Sequence, residues 1–192
     1  MRRLQNIGRA NHPLRILQVA VLLSAAFLCN ISIAADAYQT PEAFIAQAFP
    51  GKIPEPGIIW LTGKRKEAVK NILGHRYPFL RVRYWRQHER SVWILEETGK
   101  EQPITAGLIV NRGRLEQIKV LIYRESRGWE VRYPFFTDQF KDARPGEINN
   151  LDRHIDGISG ATLSVRAMKK LAALALYLNT ELERTEHVSP SP

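Results

Sequence analysis

The stretch from Leu163 to about Leu182 carries the strongest pattern in this chain. It is rich in Ala and Leu, and Leu163, Ala167, Leu171, Leu174 and Leu178 recur at spacings of three and four. That period predicts one long amphipathic helix, basic along one side, whose apolar stripe must be buried against another element. The segments ahead of it read as strands and short helices. Thr40-Pro41-Glu42 is a helix start, with a capping hydroxyl, a proline at the first position and then an acid, and the helix ends near Phe49. Ile58–Leu61 is a short apolar strand, and Thr62 opens a second helix through Leu73 that Gly74 ends. Leu80–Tyr84 alternates, Val92–Leu95 is a buried-looking run, and Ile104–Val110 and Leu115–Tyr123 flank Asn111-Arg112-Gly113 as a hairpin. Phe135–Phe140 reads as a helical turn. Hairpin strands with separate helices predict an α+β fold: a mainly antiparallel sheet, flanking helices and a long C-terminal helix.

The first 35 residues read differently. Arg2, Arg3, Arg9 and Arg15 form a cationic start without acids, and Ile16–Cys29 is a 14-residue apolar run. Small residues at Ser32-Ile33-Ala34-Ala35 then offer a cleavage site. These are the parts of a secretory signal peptide, and the run is short for a membrane span. Residues 1–35 are therefore expected to be a leader for export to the periplasm, with an uncleaved anchor facing the periplasm as the alternative. Residues 36–102 carry no assignment, 103–182 form the candidate cofactor domain, and 183–192 a tail.

Removing the four leader arginines from 28 Lys and Arg leaves 24 against 19 acids, a balance of +5. A basic exported domain suits an anionic membrane surface or an acidic protein partner better than nucleic acid. Arg76, Arg81, Arg83, Arg86 and Arg90, interleaved with Tyr77, Tyr84 and Trp85, fit alternation on a strand, so no nucleic-acid partner is expected. The single cysteine, Cys29, lies in the leader. The mature chain then has no disulfide, no thiolate-bound cluster and no Cys-x-x-Cys-His haem site, so any redox chemistry needs an organic cofactor. His75, His88 and His154 have no ligand spacing, and no metal is assigned.

Just ahead of the last helix the chain reads Asp156-Gly157-Ile158-Ser159-Gly160-Ala161-Thr162-Leu163-Ser164. A small-residue turn feeding a helix N-terminus presents unpaired backbone amides and the positive end of the helix dipole. With the hydroxyls of Ser159, Thr162 and Ser164 it forms a generic phosphate cradle. On the residues alone, a plain turn with Ser159 as the helix cap explains the pattern as well.

The same residues closely resemble the attachment motif of the FMN-binding domain family. Its members include the C subunit of the sodium-translocating NADH:quinone reductase and the G subunit of the Rnf complex. Asp156, Ser159, Gly160, Ala161 and Thr162 match the motif position by position. The resemblance implies covalent FMN: a separate magnesium-dependent flavin transferase uses FAD as donor and esterifies the threonine hydroxyl, here Thr162, with the FMN phosphate. Leu163 and Ser164 follow as neighbours of the cofactor. Arg124-Glu125-Ser126-Arg127-Gly128-Trp129-Glu130 resembles in part a Glu-Thr-x-Gly loop near the flavin, which implies Glu125, Ser126 and Gly128 as pocket residues. Trp129 reads either as a lid over the ring or as a core residue.

The resemblance implies an electron carrier between a membrane reductase and another membrane-bound or periplasmic redox protein. No catalytic constellation for substrate turnover stands out, so Thr162 reads as a tether. Two other readings remain: a flavin-dependent reductase of a small substrate, and a non-redox periplasmic adaptor.

Overall fold

The computed structural model describes residues 36–147 and 150–188. The leader expected over 1–35 and the last four residues of the tail lie outside them. The elements are β1 (Asp36–Ala37), α1 (Pro41–Ala48), β2 (Gly57–Trp60), α2 (Gly63–Leu73), β3 (Arg81–Gln87), β4 (Arg90–Thr98), β5 (Pro103–Asn111), β6 (Arg114–Tyr123), α3 (Pro134–Thr137) and α4 (Thr162–Val188). Short 3-10 turns at Trp129–Arg132 and Asp138–Phe140 bracket α3. The strands form one sheet in the order β1-β6-β5-β4-β3-β2, with every neighbouring pair antiparallel. The α+β expectation holds.

The β5–β6 hairpin forms where the Asn-Arg-Gly signal places it. Arg112 and Gly113 both take positive φ, 52° and 68°, and connect strands ending at Asn111 and beginning at Arg114. Two consecutive positive φ values match the right-handed twist of the flanking strands. At the start of α1, Thr40 Oγ1 accepts the Ala43 amide at 3.1 Å with Pro41 behind it, as its sequence requires. Thr62 opens α2 without a side-chain cap; its carbonyl takes the Arg65 amide instead.

β3 and β4 run further than their apolar segments, to Gln87 and back from Arg90, because ladder bonds continue through polar residues to the turn at His88. Residues 36–102, unassigned on sequence, contribute β1 to β4 to this same sheet.

The sheet has two unequal faces. On one, α4 packs across β4, β5 and β6 with α2 beside it, and Trp93, Leu95, Leu108, Met168, Leu171 and Leu178 are buried there. On the other, α1 sets Phe44, Ile45, Ala48 and Phe49 over Val92, Ile109 and Leu121. Gly107 lies beneath the Phe44 ring, where an added Cβ would stand 2.5 Å from a ring carbon.

Polar side chains fix α4 on the sheet. Trp93 Nε1 donates to Ser91 Oγ at 2.9 Å, and Ser91 Oγ donates to Asn179 Oδ1 at 2.7 Å, all three residues buried. Asn179 Nδ2 in turn donates to Glu183 Oε1 at 2.8 Å, so the relay leaves no member unpaired. Glu97 is buried on β4 and is held by Lys170 Nζ of α4 and His75 Nε2, each at 2.9 Å. Removing one partner of such a carboxylate leaves a buried charge poorly paired. Lys170→Met is expected to destabilise the fold by about 2 kcal/mol, part of the full cost being relieved by His75. Urea unfolding read by tryptophan fluorescence measures it, and Glu97→Gln should recover part of the loss in the double variant.

Candidate functional site

The segment 156–164 runs as coil to a turn at Ser159-Gly160 and then enters α4. Gly160 takes φ +80°, which a side chain would resist. The Ala161 amide donates to the Ile158 carbonyl at 3.0 Å, and the Ala161 carbonyl accepts the Val165 amide at 2.9 Å. Ala161 therefore holds the cap position, and Ser159, exposed and two residues earlier, does not cap the helix. Alanine has no oxygen to offer, so the first-turn amides of Thr162, Leu163 and Ser164 meet no capping side chain among the described residues. The helix start is left with a positive end and open donors.

Behind this turn, Ser164 is buried and its hydroxyl lies 2.9 Å from Tyr123 Oη. Tyr123 donates its own proton to the Arg127 carbonyl at 2.6 Å, which leaves Ser164 as the donor to Tyr123. Burial pushes the Tyr123 hydroxyl above its ordinary pKa, keeping it a donor. Ser164 thus ties the helix to β6 and the following loop, whereas the sequence reading had its hydroxyl facing a phosphate. Gly128, at φ +83°, fits against the same spot: an added Cβ would stand 2.7 Å from Ser164 Oγ, 3.0 Å from Tyr123 Oη and 3.3 Å from Ala161 Cβ. The loop after β6 and the turn before α4 are therefore in direct contact.

Between them opens a cleft of about 580 Å³ lined by Lys100, Glu101, Glu125, Ser126, Arg127 and the run Gly160 to Ser164. Thr162 is exposed on its wall. Of the residues expected to surround a cofactor, Glu125, Ser126, Gly160, Ala161, Thr162, Leu163 and Ser164 line the cleft, and Gly128 buttresses it from behind. Asp156 and Ser159 do not line it. The Asp156 amide donates to Gln139 Oε1 at 2.7 Å, and its exposed carboxylate lies 3.5 Å from His154 Nε2. Leu163 leaves the apolar stripe it was read into: it is 38% exposed because it precedes the part of α4 that lies over the sheet. Trp129 is not a core residue. It is 40% exposed, stacks edge-on with Tyr133 at 5.6 Å, and lies outside the cleft lining.

The sequence reading missed Lys100, Glu101 and Arg127. The first two sit in the β4–β5 turn, and Glu125 brings that turn to the site. Glu125 Oε1 accepts the backbone amides of Glu101 at 2.7 Å and Gln102 at 3.0 Å, and that of Lys100. Gly99 makes room, since a Cβ there would come within 2.8 Å of the same oxygen. Partial burial raises the Glu125 pKa, but the three amides outweigh it and hold the group below its ordinary value near 4.5.

A carboxylate with a depressed folded-state pKa stabilises above its unfolded value, and that contribution is lost as pH falls through the folded value. The turn over Lys100–Gln102 should therefore be firm above about pH 4.5 and loosen below it. The amide shifts of those three residues, followed by NMR down to pH 2.5, check this. In Glu125→Gln the acid transition at these amides should disappear.

The site suits FMN on its own chemistry. An exposed hydroxyl stands at an open helix N-terminus, Lys100 and Arg127 are near, and Arg127 has no acidic partner among the described residues. The volume falls in the range of small-molecule pockets. Among the described residues no group of His, Cys, Asp and Glu could hold a metal ion, and no helix is long and apolar enough to cross a membrane.

Comparison with known proteins bears on the same stretch. Residues 99–177 match the model of the FMN-binding domain. A search of curated proteins gave no match. Among solved structures the chain is similar to Shewanella oneidensis NqrC, at 13% identity and a TM-score of 0.51, covering 73% of this chain and 95% of that one. At that identity the likeness speaks for the fold alone. The matched stretch from Gly99 to Tyr177 builds both walls of the cleft, so the similarity to the FMN-binding domain falls on the site itself.

Proposed function

We propose that this chain is an exported flavoprotein that carries FMN as a phosphoester on Thr162 and relays electrons between a membrane reductase and a second redox protein. The observation that carries the reading is the exposed Thr162 hydroxyl, at an uncapped helix start, on the wall of a cleft within the FMN-binding stretch. FMN, when bound, supplies one- and two-electron redox chemistry. The chain's own residues position it: the first-turn amides of α4 and the nearby cations suit the phosphate, and the braced Ser164–Tyr123–Arg127 contact holds the helix start in place.

The attachment step balances with FAD as donor and a flavin transferase as catalyst. The Thr162 oxygen bonds to the FMN phosphorus, the pyrophosphate bond breaks, AMP leaves, and the hydroxyl proton passes to a base on the transferase. A tether of this kind suits an exported protein, since outside the cytoplasm no flavin pool refills a vacated site. The 1–35 segment, with its cationic start and short apolar run, supports export.

Co-expression with a flavin transferase tests this. The expected product is yellow, keeps its flavin through denaturation, and is heavier than the bare chain by one FMN less one water. A colourless product of polypeptide mass defeats the proposal. Stoichiometric reduction of the purified holoprotein without turnover of added small acceptors distinguishes a relay from a reductase.

A further inference from the structure

The two faces of the sheet are covered unequally at the β2 edge. On the α4 face, Ile59 of β2 and Val82 of β3 are buried in one cluster with Val69, Ile72 and Leu73 of α2. On the opposite face α1 lies over Val92, Ile109 and Leu121, which belong to β4, β5 and β6. Over β2 and β3 that face stays open, with Ile58 47% and Trp60 51% exposed. Ile58 pairs with Arg83 and Trp60 with Arg81, so all four side chains leave the sheet on this side. A groove of about 550 Å³ runs here beside α1. Ile45, Ile58, Trp85 and Ile94 are its apolar lining, Arg81 and Arg83 its cations, and Glu42 on α1 its acid. Neither arginine has an acidic partner among the described residues. The Arg81 guanidinium stands 5.9 Å from the centre of the Trp60 ring.

We propose that this groove receives an acidic amphipathic helix of a partner protein, laid beside α1 over β2 and β3. The interaction is independent of any flavin on Thr162. From β4, under the edge of α1, to β2 is two strand spacings, about 10 Å. A helix with its side chains is about 10–12 Å across, so one fits the open strip. The apolar lining takes the stripe of a helix whose anchors recur at three- and four-residue spacing. Arg81 and Arg83, two residues apart on β3, meet acids along the edge of that helix. Trp and Arg beside aliphatic residues are the side chains that carry most of the energy at protein interfaces. The 1–35 segment, with four arginines and no acid, has the wrong charge for the place. Because α1 walls the groove on one side, its concave floor admits a rod rather than the plane of a bilayer.

The test titrates the full chain with a synthetic helix of about 18 residues, followed by backbone amide signals in NMR. The peptide carries Leu at three- and four-residue spacing, Glu along one flank and Gln along the other. Saturable shifts are expected at Ile45, Ile58, Trp60 and Arg83, and affinity should fall as salt rises. A sister peptide with Lys for every Glu should bind at least tenfold more weakly. R81E/R83E should reverse that order and favour the Lys peptide, which a mere loss of structure would not do. Ile58→Asp should weaken both peptides at least tenfold while circular dichroism stays that of the parent. Absence of saturable binding overturns the proposal, as do equal affinities for the two peptides and shifts confined to the cations of α4. Binding to phosphatidylglycerol vesicles that R81E/R83E abolishes, without peptide binding, overturns it in favour of a membrane. Concentration-dependent shifts of the same amides, with a dimer in sedimentation, overturn it in favour of a second copy of the chain.

Discussion

Thr162→Ala is expected to abolish flavin incorporation altogether, leaving a colourless protein of polypeptide mass under conditions that label the parent. The reason is chemical: no other oxygen at the start of α4 is placed to replace the lost nucleophile. Ser164 is buried and engaged with Tyr123, and Ser159 lies before the helix and outside the cleft lining. The fold should survive, because Thr162 is exposed and alanine favours a helix by about 0.5 kcal/mol over threonine. Thr162→Ser keeps the hydroxyl and should retain part of the label. Intact mass and in-gel fluorescence separate the variants, and equal urea midpoints would show that the loss of flavin is not a loss of fold. Label persisting in Thr162→Ala would move the attachment elsewhere.

Gly128→Val is expected to be the most destabilising single change at the site. The backbone stands at φ +83°, which costs a β-branched residue about 1–2 kcal/mol. The new side chain also meets Ser164 Oγ, Tyr123 Oη and Ala161 Cβ, all within 3.3 Å, and such overpacking costs about 1–3 kcal/mol. Together these amount to roughly 3–4 kcal/mol, or about 10 °C in melting temperature for a domain of this size. Because the same contact joins the loop after β6 to the turn before α4, flavin incorporation should fall in parallel. Gly113→Ala in the β5–β6 hairpin has positive φ but nothing within 4 Å of an added Cβ, so it should lose stability through φ alone and leave labelling intact. Equal effects of the two changes on labelling would refute the coupling.

Much of this architecture is legible from local signals. Thr40-Pro41 starts a helix, Arg112-Gly113 reverses the chain, and the three-four spacing to Leu178 lays α4 on the sheet, because each is decided by backbone preference or by one apolar face. What escapes is decided by distant partners. The strand ends at Gln87 and Arg90 are polar and are set by ladder pairing. Leu163 matches the helical period yet lies exposed, since periodicity gives the face of a helix but not where along it the sheet begins. At the site, Thr162 and its flanking small residues are visible as a motif. Lys100 and Glu101 are not, because a side chain from another part of the chain, Glu125, draws their turn in through its amides. Ser164 shows the reverse: its hydroxyl suggests a ligand contact, and Tyr123 claims it.

The division of the interior by the sheet sets an order of unravelling. The layer under α1 rests on a handful of side chains around Phe44 and shares no buried residue with the larger interior beneath α4. Local opening should follow that boundary, the smaller layer exchanging its amide protons first. The start of α4 and the cleft beside it are anchored in the deeper half through Tyr123, Ala161 and Val165, so an early, reversible detachment of the N-terminal helix would leave them undisturbed.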